Sequence, residues 1–545
     1  MSSCRALSLS LVLVAGACGA PSAQAPVPLA DPVPTVNAAA LDAHLRYLSD
    51  DLLEGRAPGT RGGELAARYI AAQFQALGLE GAGADGSYFQ PVALVGTTPE
   101  ATLAWGAQGA ARTLRFTEEF VAWAERPEAE IVADGEVVFV GYGIAAPEWQ
   151  WDDYKDADLR GKILLVLVND PGLRDSTIFL GRTLTYYGRW TYKLEEAARR
   201  GAAGVFLVHT DESATYPWSV VRGSWTVEQF QLDRPAGPAL SFAGWVTSDA
   251  ASAALRTGGL DLDSLSRAAV ARAFRPVTTG LRAAVTVSSR VRRVRSANVV
   301  GRLRGSDSVL AREAVLFTAH YDHKGVGIPV AGDSIYNGAE DNASGVAAML
   351  GAADALVRSR PRPRRSVLFI ATTAEESGLL GSAAYAADPL VPLDRTAAVI
   401  NLDHTNVRGL TRDISALGAD RSTLGAVLAA AARAESLTVV ETTDERGSFF
   451  RSDHFPLARA GVPAVSVQRG EDYVGRSREW AVEQEALWNT RRYHQPSDAY
   501  SHDFDYAGMV QQVRVVVRIA QEVANAAALP QWKPTSEFQR ARPGR

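Results

Sequence analysis

A chain of 545 residues is too long for one compact core and, at roughly 100–200 residues per domain, suggests two or three domains. Its 47% hydrophobic and 21% charged residues are those of an ordinary soluble globular protein. A formal net charge of -5 offers no attraction to nucleic acid or to an anionic membrane.

Residues 1–25 read as an export signal: Arg5, an apolar run from Ala6 to Ala17, small residues, then a Pro-rich stretch. The apolar run is too short for a bilayer, which takes roughly 20 residues. Ala23-Gln24-Ala25 fits ordinary signal cleavage. Ala15-Gly16-Ala17-Cys18 instead resembles a lipobox, with the signal ending at residue 17 and a lipid anchor on Cys18. The expected location is therefore periplasmic, on the outer membrane as a lipoprotein, or secreted, with membrane contact only through that anchor. The two cysteines, Cys4 and Cys18, both lie in this leader. Beyond it no disulfide or thiolate ligand is on offer, so a metal site has to use His, Asp and Glu.

Residues 36–134 open with helical spacing over Asn37 to Leu53 and Gly63 to Leu77, separated by a turn at Gly55-Arg56-Ala57-Pro58-Gly59. Residues 135–275 change character. Short apolar runs at Val137-Val140, Ile163-Val168 and Val205-Val208 alternate with Gly-rich turns, and one helical run spans Lys193 to Arg200. This predicts a self-contained, strand-rich insert in which the lone His209 is structural. Residues 285–530 show strands Val315-Ala319, Val367-Ala371, Ala398-Leu402 and Ala464-Val467. They alternate with helices Ser344-Val357, Leu379-Ala387, Thr423-Ala434 and Asp505-Ala526. Continuous apolar strands separated by helices predict an α/β fold, a mostly parallel sheet flanked by helices. Arg358 to Arg365, broken by Pro361 and Pro363, reads as a solvated connection.

The polar residues of this last region sit where apolar strands end, which is where open α/β sheets place their sites. The first strand ends in His320-Tyr321-Asp322-His323 and the second in Glu375-Glu376. The third ends in Asp403-His404, Glu340-Asp341-Asn342 opens a helix, and Tyr493-His494 lies far downstream. His320 and Asp322 are two apart, so an extended segment points both to one face, where a carboxylate can hold the ring of a metal-bound His. Two divalent ions about 3.5–4 Å apart need a bridging carboxylate, and Asp341 is the natural bridge. Of the adjacent Glu375 and Glu376, one can bind metal while the other moves protons. Imidazole and carboxylate ligands without sulfur suit two Zn²⁺ ions, with Mn²⁺ or Co²⁺ as substitutes.

This set of motifs resembles the M28 family of zinc aminopeptidases, across roughly Val285 to Ala526. The insert, with Val140-Gly141-Tyr142-Gly143-Ile144 and Gly161-Lys162-Ile163, resembles a protease-associated (PA) domain. The resemblance implies Asp341 bridging two ions, one also held by His320 and Asp403 and the other by Glu376 and His494. It implies Glu375 as general base and acid, Asp322 orienting His320, and a cis peptide between Asp341 and Asn342. Asp498 is expected to support His494 in the same way, and His323, His404 and His454 are not ligands in this scheme. The implied substrate is a peptide with a free amino terminus, whose ammonium has Glu375, Asp453 and Asp472 as candidate partners. Three other readings stand beside it: an M20-like carboxypeptidase or deacylase with a similar ligand set, a glutaminyl-cyclase-like transferase that would need one metal, and an inactive binding protein, which would be expected to have lost ligands. The M20 type usually inserts its second domain after the Glu pair, whereas here the insert precedes His320.

Overall fold

The computed structural model describes residues 33–233, 237–441 and 444–539. The expected export signal and the Cys18 anchor lie outside the described residues. Among the described residues no helix is long and apolar enough to cross a membrane.

Two amphipathic helices come first, α1 (Ala38–Leu48) and α2 (Arg61–Ala76), capped by the side chains of Asn37 and Thr60. The long strand β1 (Phe89–Ala107) leads to β2 (Phe120–Ala124), β3 (Glu130–Phe139), β4 (Ile163–Leu167), α3 (Trp190–Arg199), β5 (Gly204–His209) and β6 (Phe242–Thr247). After β7 (Val277–Leu303) come β8 (Ala314–His320), α4 (Ser344–Arg358), β9 (Ser366–Thr372), α5 (Leu380–Ala387) and β10 (Thr396–Asn401). β11 (Asp413–Leu417), α6 (Leu424–Ala434), β12 (Ala464–Gln468) and α7 (Ala507–Asn525) complete the main elements.

One sheet carries both regions, in the order β11-β12-β10-β8-β9-β7-β3-β4-β5-β6-β2. β9, β8, β10 and β12 are parallel, with β7 and β11 antiparallel at either side. In the insert β3, β4, β5 and β6 are parallel and β2 is antiparallel. The link between the two halves is β7, 27 residues long. Beside the insert its burial alternates (Leu281, Ala283, Val285 and Val287 inside, Arg282 and Ala284 outside). In the half that carries β8 to β10 Val299 and Val300 are both buried, because helices cover both faces there. Residues 135 and 285, the expected limits of the insert and of the last region, fall inside β3 and β7.

Besides the expected helix α3, the insert contains helices Trp218–Trp225, Ser248–Thr257 and Leu262–Ala268. Two of these are started by side-chain caps, from Thr247 and Asp261, and their short polar-rich turns hid the helical period. His209 is structural, its Nε2 3.0 Å from the Tyr216 carbonyl.

β8, β9 and β10 are buried at every residue and run parallel, so His320, Thr372 and Asn401 reach one edge together. Behind that edge α4 is buried along nearly its whole length and packs on α1 and α7. Its many alanines and Gly351 permit this approach, since a Cβ at Gly351 would lie 2.7 Å from Leu41 Cδ2. Arg365 is not in a solvated loop but buried, donating to Glu313 and to the carbonyls of Val523 and Ala526 at the end of α7.

Candidate metal centre

The edge of β8 and β10, the loop before α4 and the segment after β9 bring their polar ends to one point. Asp341 stands in the middle, Oδ1 3.3 Å from His320 Nε2 and Oδ2 3.3 Å from His494 Nε2. Asp403 Oδ1 lies 3.5 Å from His320 Nε2, and Glu376 Oε2 lies 3.0 Å from His494 Nε2. Glu375 Oε2 is 3.9 Å from His320. Two ligands each about 2.1 Å from an ion, at a tetrahedral angle, stand about 3.4 Å apart, so the donor set has the spacing and chemistry of a divalent metal site. Asp403 Oδ1 is buried and accepts no hydrogen bond among the described residues, which a cation would remedy.

Each side chain is held locally. His320 Nδ1 lies 3.1 Å from the carbonyl of Asp322 and 3.9 Å from its carboxylate, so the main chain of Asp322 fixes the ring more closely than its acid does. The Asp322 carboxylate accepts the Glu375 amide at 3.2 Å. Asp403 is anchored by a relay: Thr318 to Asn401, Asn401 to Ser452, and Ser452 Oγ to Asp403 Oδ2 at 2.7 Å. The Asp341–Asn342 peptide is cis, as the resemblance implies. Asn342 ties this loop to Leu402, His404 and Gly345. Gly338, with φ 58°, precedes it, and a Cβ there would lie 2.5 Å from His323 Cγ.

The glutamate pair is driven apart electrostatically. Burial, with Glu376, Asp403 and Asp453 nearby, raises the Glu375 carboxyl well above its ordinary range against the pull of His320. Glu376 is buried too, yet His494, Lys324 and His323 hold it well below. Burial also acts on Asp341, where His404, His320 and His494 prevail and keep it ionised. Two carboxylic acids side by side are thus assigned opposite protonation tendencies.

Several expectations are corrected. The Asp498 carboxylate does not hold His494; it accepts the main-chain amides of Glu340 and Asp341 at 2.9 and 3.0 Å and so fixes the Asp341 loop. Asp453 is fully buried and accepts the Thr372 hydroxyl, leaving it no route to a substrate ammonium. Asp472 is 57% exposed and paired with Arg412 at 2.8 Å, a solvated loop carboxylate. His323 comes closer than expected, its Nδ1 2.6 Å from Glu376 Oε1, and with Asp341 and Glu376 it forms a further cluster able to hold a metal. His404 Nε2 lies 3.4 Å from Asp403 and 3.6 Å from Asp341.

Arg56 was legible only as part of a turn. It is buried under the centre, donating to the carbonyls of Leu48, Tyr321, Asn337 and Gly338. Burial lowers its pKa to about 10, while Asp498, Asp322, Asp341 and Glu376 hold its charge. The one available signal was a charged residue between Gly55 and Gly59, which is indistinguishable from a surface turn.

Residues 298–520 match the family model of peptidase family M28. The vacuolar membrane protease of Clavispora lusitaniae is 36% identical over 114 residues, which are 21% of this chain and 10% of that protein. The chain thus spans about a tenth of the curated relative it matches. Among solved structures, an aminopeptidase from Aneurinibacillus sp. strain AM-1 is 20% identical over 91% of this chain and 96% of its own, with a TM-score of 0.49. A zinc aminopeptidase from Bacillus subtilis is 19% identical over 92% and 97%, with a TM-score of 0.44.

Proposed function

We propose, from the premise that residues 298–520 form a peptidase family M28 domain, that this chain is a two-metal aminopeptidase, exported by its leader. The observation that carries the reading is Asp341, which offers one carboxylate oxygen toward each of two imidazoles at equal distance, the arrangement of a bridging ligand. His320 and Asp403 would complete one site, Glu376 and His494 the other. Bound there, zinc would polarise the scissile carbonyl and lower the pKa of a water to about 7. Residues 135–275 are read as a PA-like insert that contributes no ligand and shapes access.

Glu375 is the member of the pair left out of the ligand set, and bound cations would offset the carboxylate crowding that raises it. Its carboxylate takes a proton from the attacking water and returns it to the nitrogen of the leaving amine. Ion pairs to His323 and Lys324 keep Glu376 ionised and fixed. Of the three candidate partners for a substrate ammonium only Glu375 lines the centre, since Asp453 is sealed and Asp472 is remote from it in partner and exposure.

The test is direction and stoichiometry. A peptide with a free amino terminus should be shortened from that end, and its amino-acetylated form should resist. Cleavage of the acetylated form with rejection of carboxy-amidated peptides would establish a carboxypeptidase instead. Zinc near two per chain is expected, whereas near one would favour the cyclase-like reading and near zero the binding protein.

A further inference from the structure

The junction between insert and catalytic half is laced with ion pairs: Arg182 with Glu445, Arg459 with Glu195, and Arg421 with Glu537 nearby. Leu184 N donates to Asp444 O across it at 3.1 Å. Two arginines there depart from the pattern. Arg189, immediately before α3, and Arg451, immediately before Ser452, form no ion pair among the described residues, and the Nε of each is buried without an acceptor. Among the described residues their side chains make one hydrogen bond, from Arg451 Nη2 to Thr215 Oγ1 at 3.3 Å. Asp444, whose charge reaches Arg189, is engaged, its two oxygens accepting the amides of Ser448 and Phe449 at 2.7 and 2.9 Å. Burial, followed by repulsion from Arg451, lowers Arg189 to about 9. Two neighbouring guanidiniums with donors to spare and no carboxylate are the donor half of an anion site.

Their position gives the anion its identity. Tyr493 lies within electrostatic reach of Arg189 and Arg451 and also of Asp341, Glu376 and Glu375. Its ring stacks on that of His494 at 3.8 Å and the residue is 41% exposed, which makes it an accessible aromatic beside a ligand. Tyr216 of the insert is within electrostatic reach of the same pair. Arg451 also directly precedes Ser452, the donor to Asp403, so the pair sits beside the ligand shell and not among its carboxylates.

We propose that Arg189 and Arg451 form a subsite for a carboxylate carried by the substrate on the leaving-group side of the scissile bond. That carboxylate is the free carboxyl terminus of a very short peptide or an acidic side chain next to the scissile bond. The proposal rests on the aminopeptidase reading for its orientation and makes the insert a contributor to specificity, with short acidic-ended peptides as the substrate class. The planar guanidinium fork matches a carboxylate in two-point geometry, which an amide cannot reproduce.

The experiment compares full-length, zinc-loaded wild type with Arg189→Met and Arg451→Met on Leu-Ala, Leu-Ala-amide, Leu-Asp-amide and Leu-p-nitroanilide. Each variant should raise KM for Leu-Ala by about 10- to 100-fold, with kcat and all Leu-p-nitroanilide kinetics unchanged. Arg451→Lys should retain part of the preference. If only a terminal carboxyl fits the pair, Leu-Asp-amide behaves like Leu-Ala-amide; if an acidic side chain fits as well, it behaves like Leu-Ala. Equal losses on Leu-Ala and Leu-p-nitroanilide, or no change on Leu-Ala, would overturn the proposal. Calorimetric binding of Leu-Ala and its amide to zinc-loaded Glu375→Gln protein separates this from the reading of function. A preference for the acid that the arginine variants abolish supports the subsite even without turnover, and equal binding of acid and amide refutes it.

Discussion

The two halves of the one sheet bury charged groups in opposite ways. In the insert Asp170 accepts from the Thr185 hydroxyl and the amides of Thr185 and Gly172. Asp153 accepts from Ile144 N and Trp151 Nε1, and Lys193 donates to the Asn169 carbonyl. Donors there meet acceptors, and the set closes on itself. In the other half carboxylates outnumber the cations beside them: Asp341, Asp403 and Glu376 converge on the imidazoles of His320 and His494. Burial of charge alone therefore does not mark a site. An excess of acceptors held in place by surrounding donors does, because only an added cation balances it.

Four substitutions sharpen this contrast. Asp341→Ala removes the acceptor shared by both imidazoles and should strip the metal and reduce turnover to background, read by elemental analysis beside peptide assays. Glu375→Gln should keep the metal and lose about 10²–10⁴ in rate. Retention of more than a tenth of activity would remove Glu375 from the role of base. Ser452→Ala is milder. It takes from Asp403 its 2.7 Å donor and should weaken metal affinity by about 10- to 100-fold, measured by chelator competition. An unchanged affinity would make the Thr318–Asn401–Ser452 relay a matter of packing. Lys193→Met should leave metal content and kcat of the folded protein unchanged while lowering stability by about 3–5 kcal/mol in urea, because Asp170 and Asp153 lose their buried cation. Loss of metal in that variant would show the halves to be coupled.

The parallel strands and the ligand motifs were legible in the sequence because both are local. Runs such as Val315-Ala319 are apolar throughout when helices cover both faces of a sheet, and side chains at the ends of parallel strands share an edge whatever lies between them in the chain. His320, Asp341, Glu375, Glu376, Asp403 and His494 each stood in such a motif, and the structure brings all six together. Only the tertiary structure decided which neighbours each of the remaining polar groups would meet. Asp498 and Asp453 carry no mark in the sequence that tells a carboxylate capping a loop from one facing a ligand. Arg56 in a Gly-rich turn reads as solvated until Tyr321, Asn337 and Gly338, more than 260 residues away, enclose it. Arg189 and Arg451 are likewise 262 residues apart, and their lack of a carboxylate partner exists only in three dimensions. Period and strand-end chemistry are properties of a segment, whereas hydrogen-bond balance belongs to the space where segments meet.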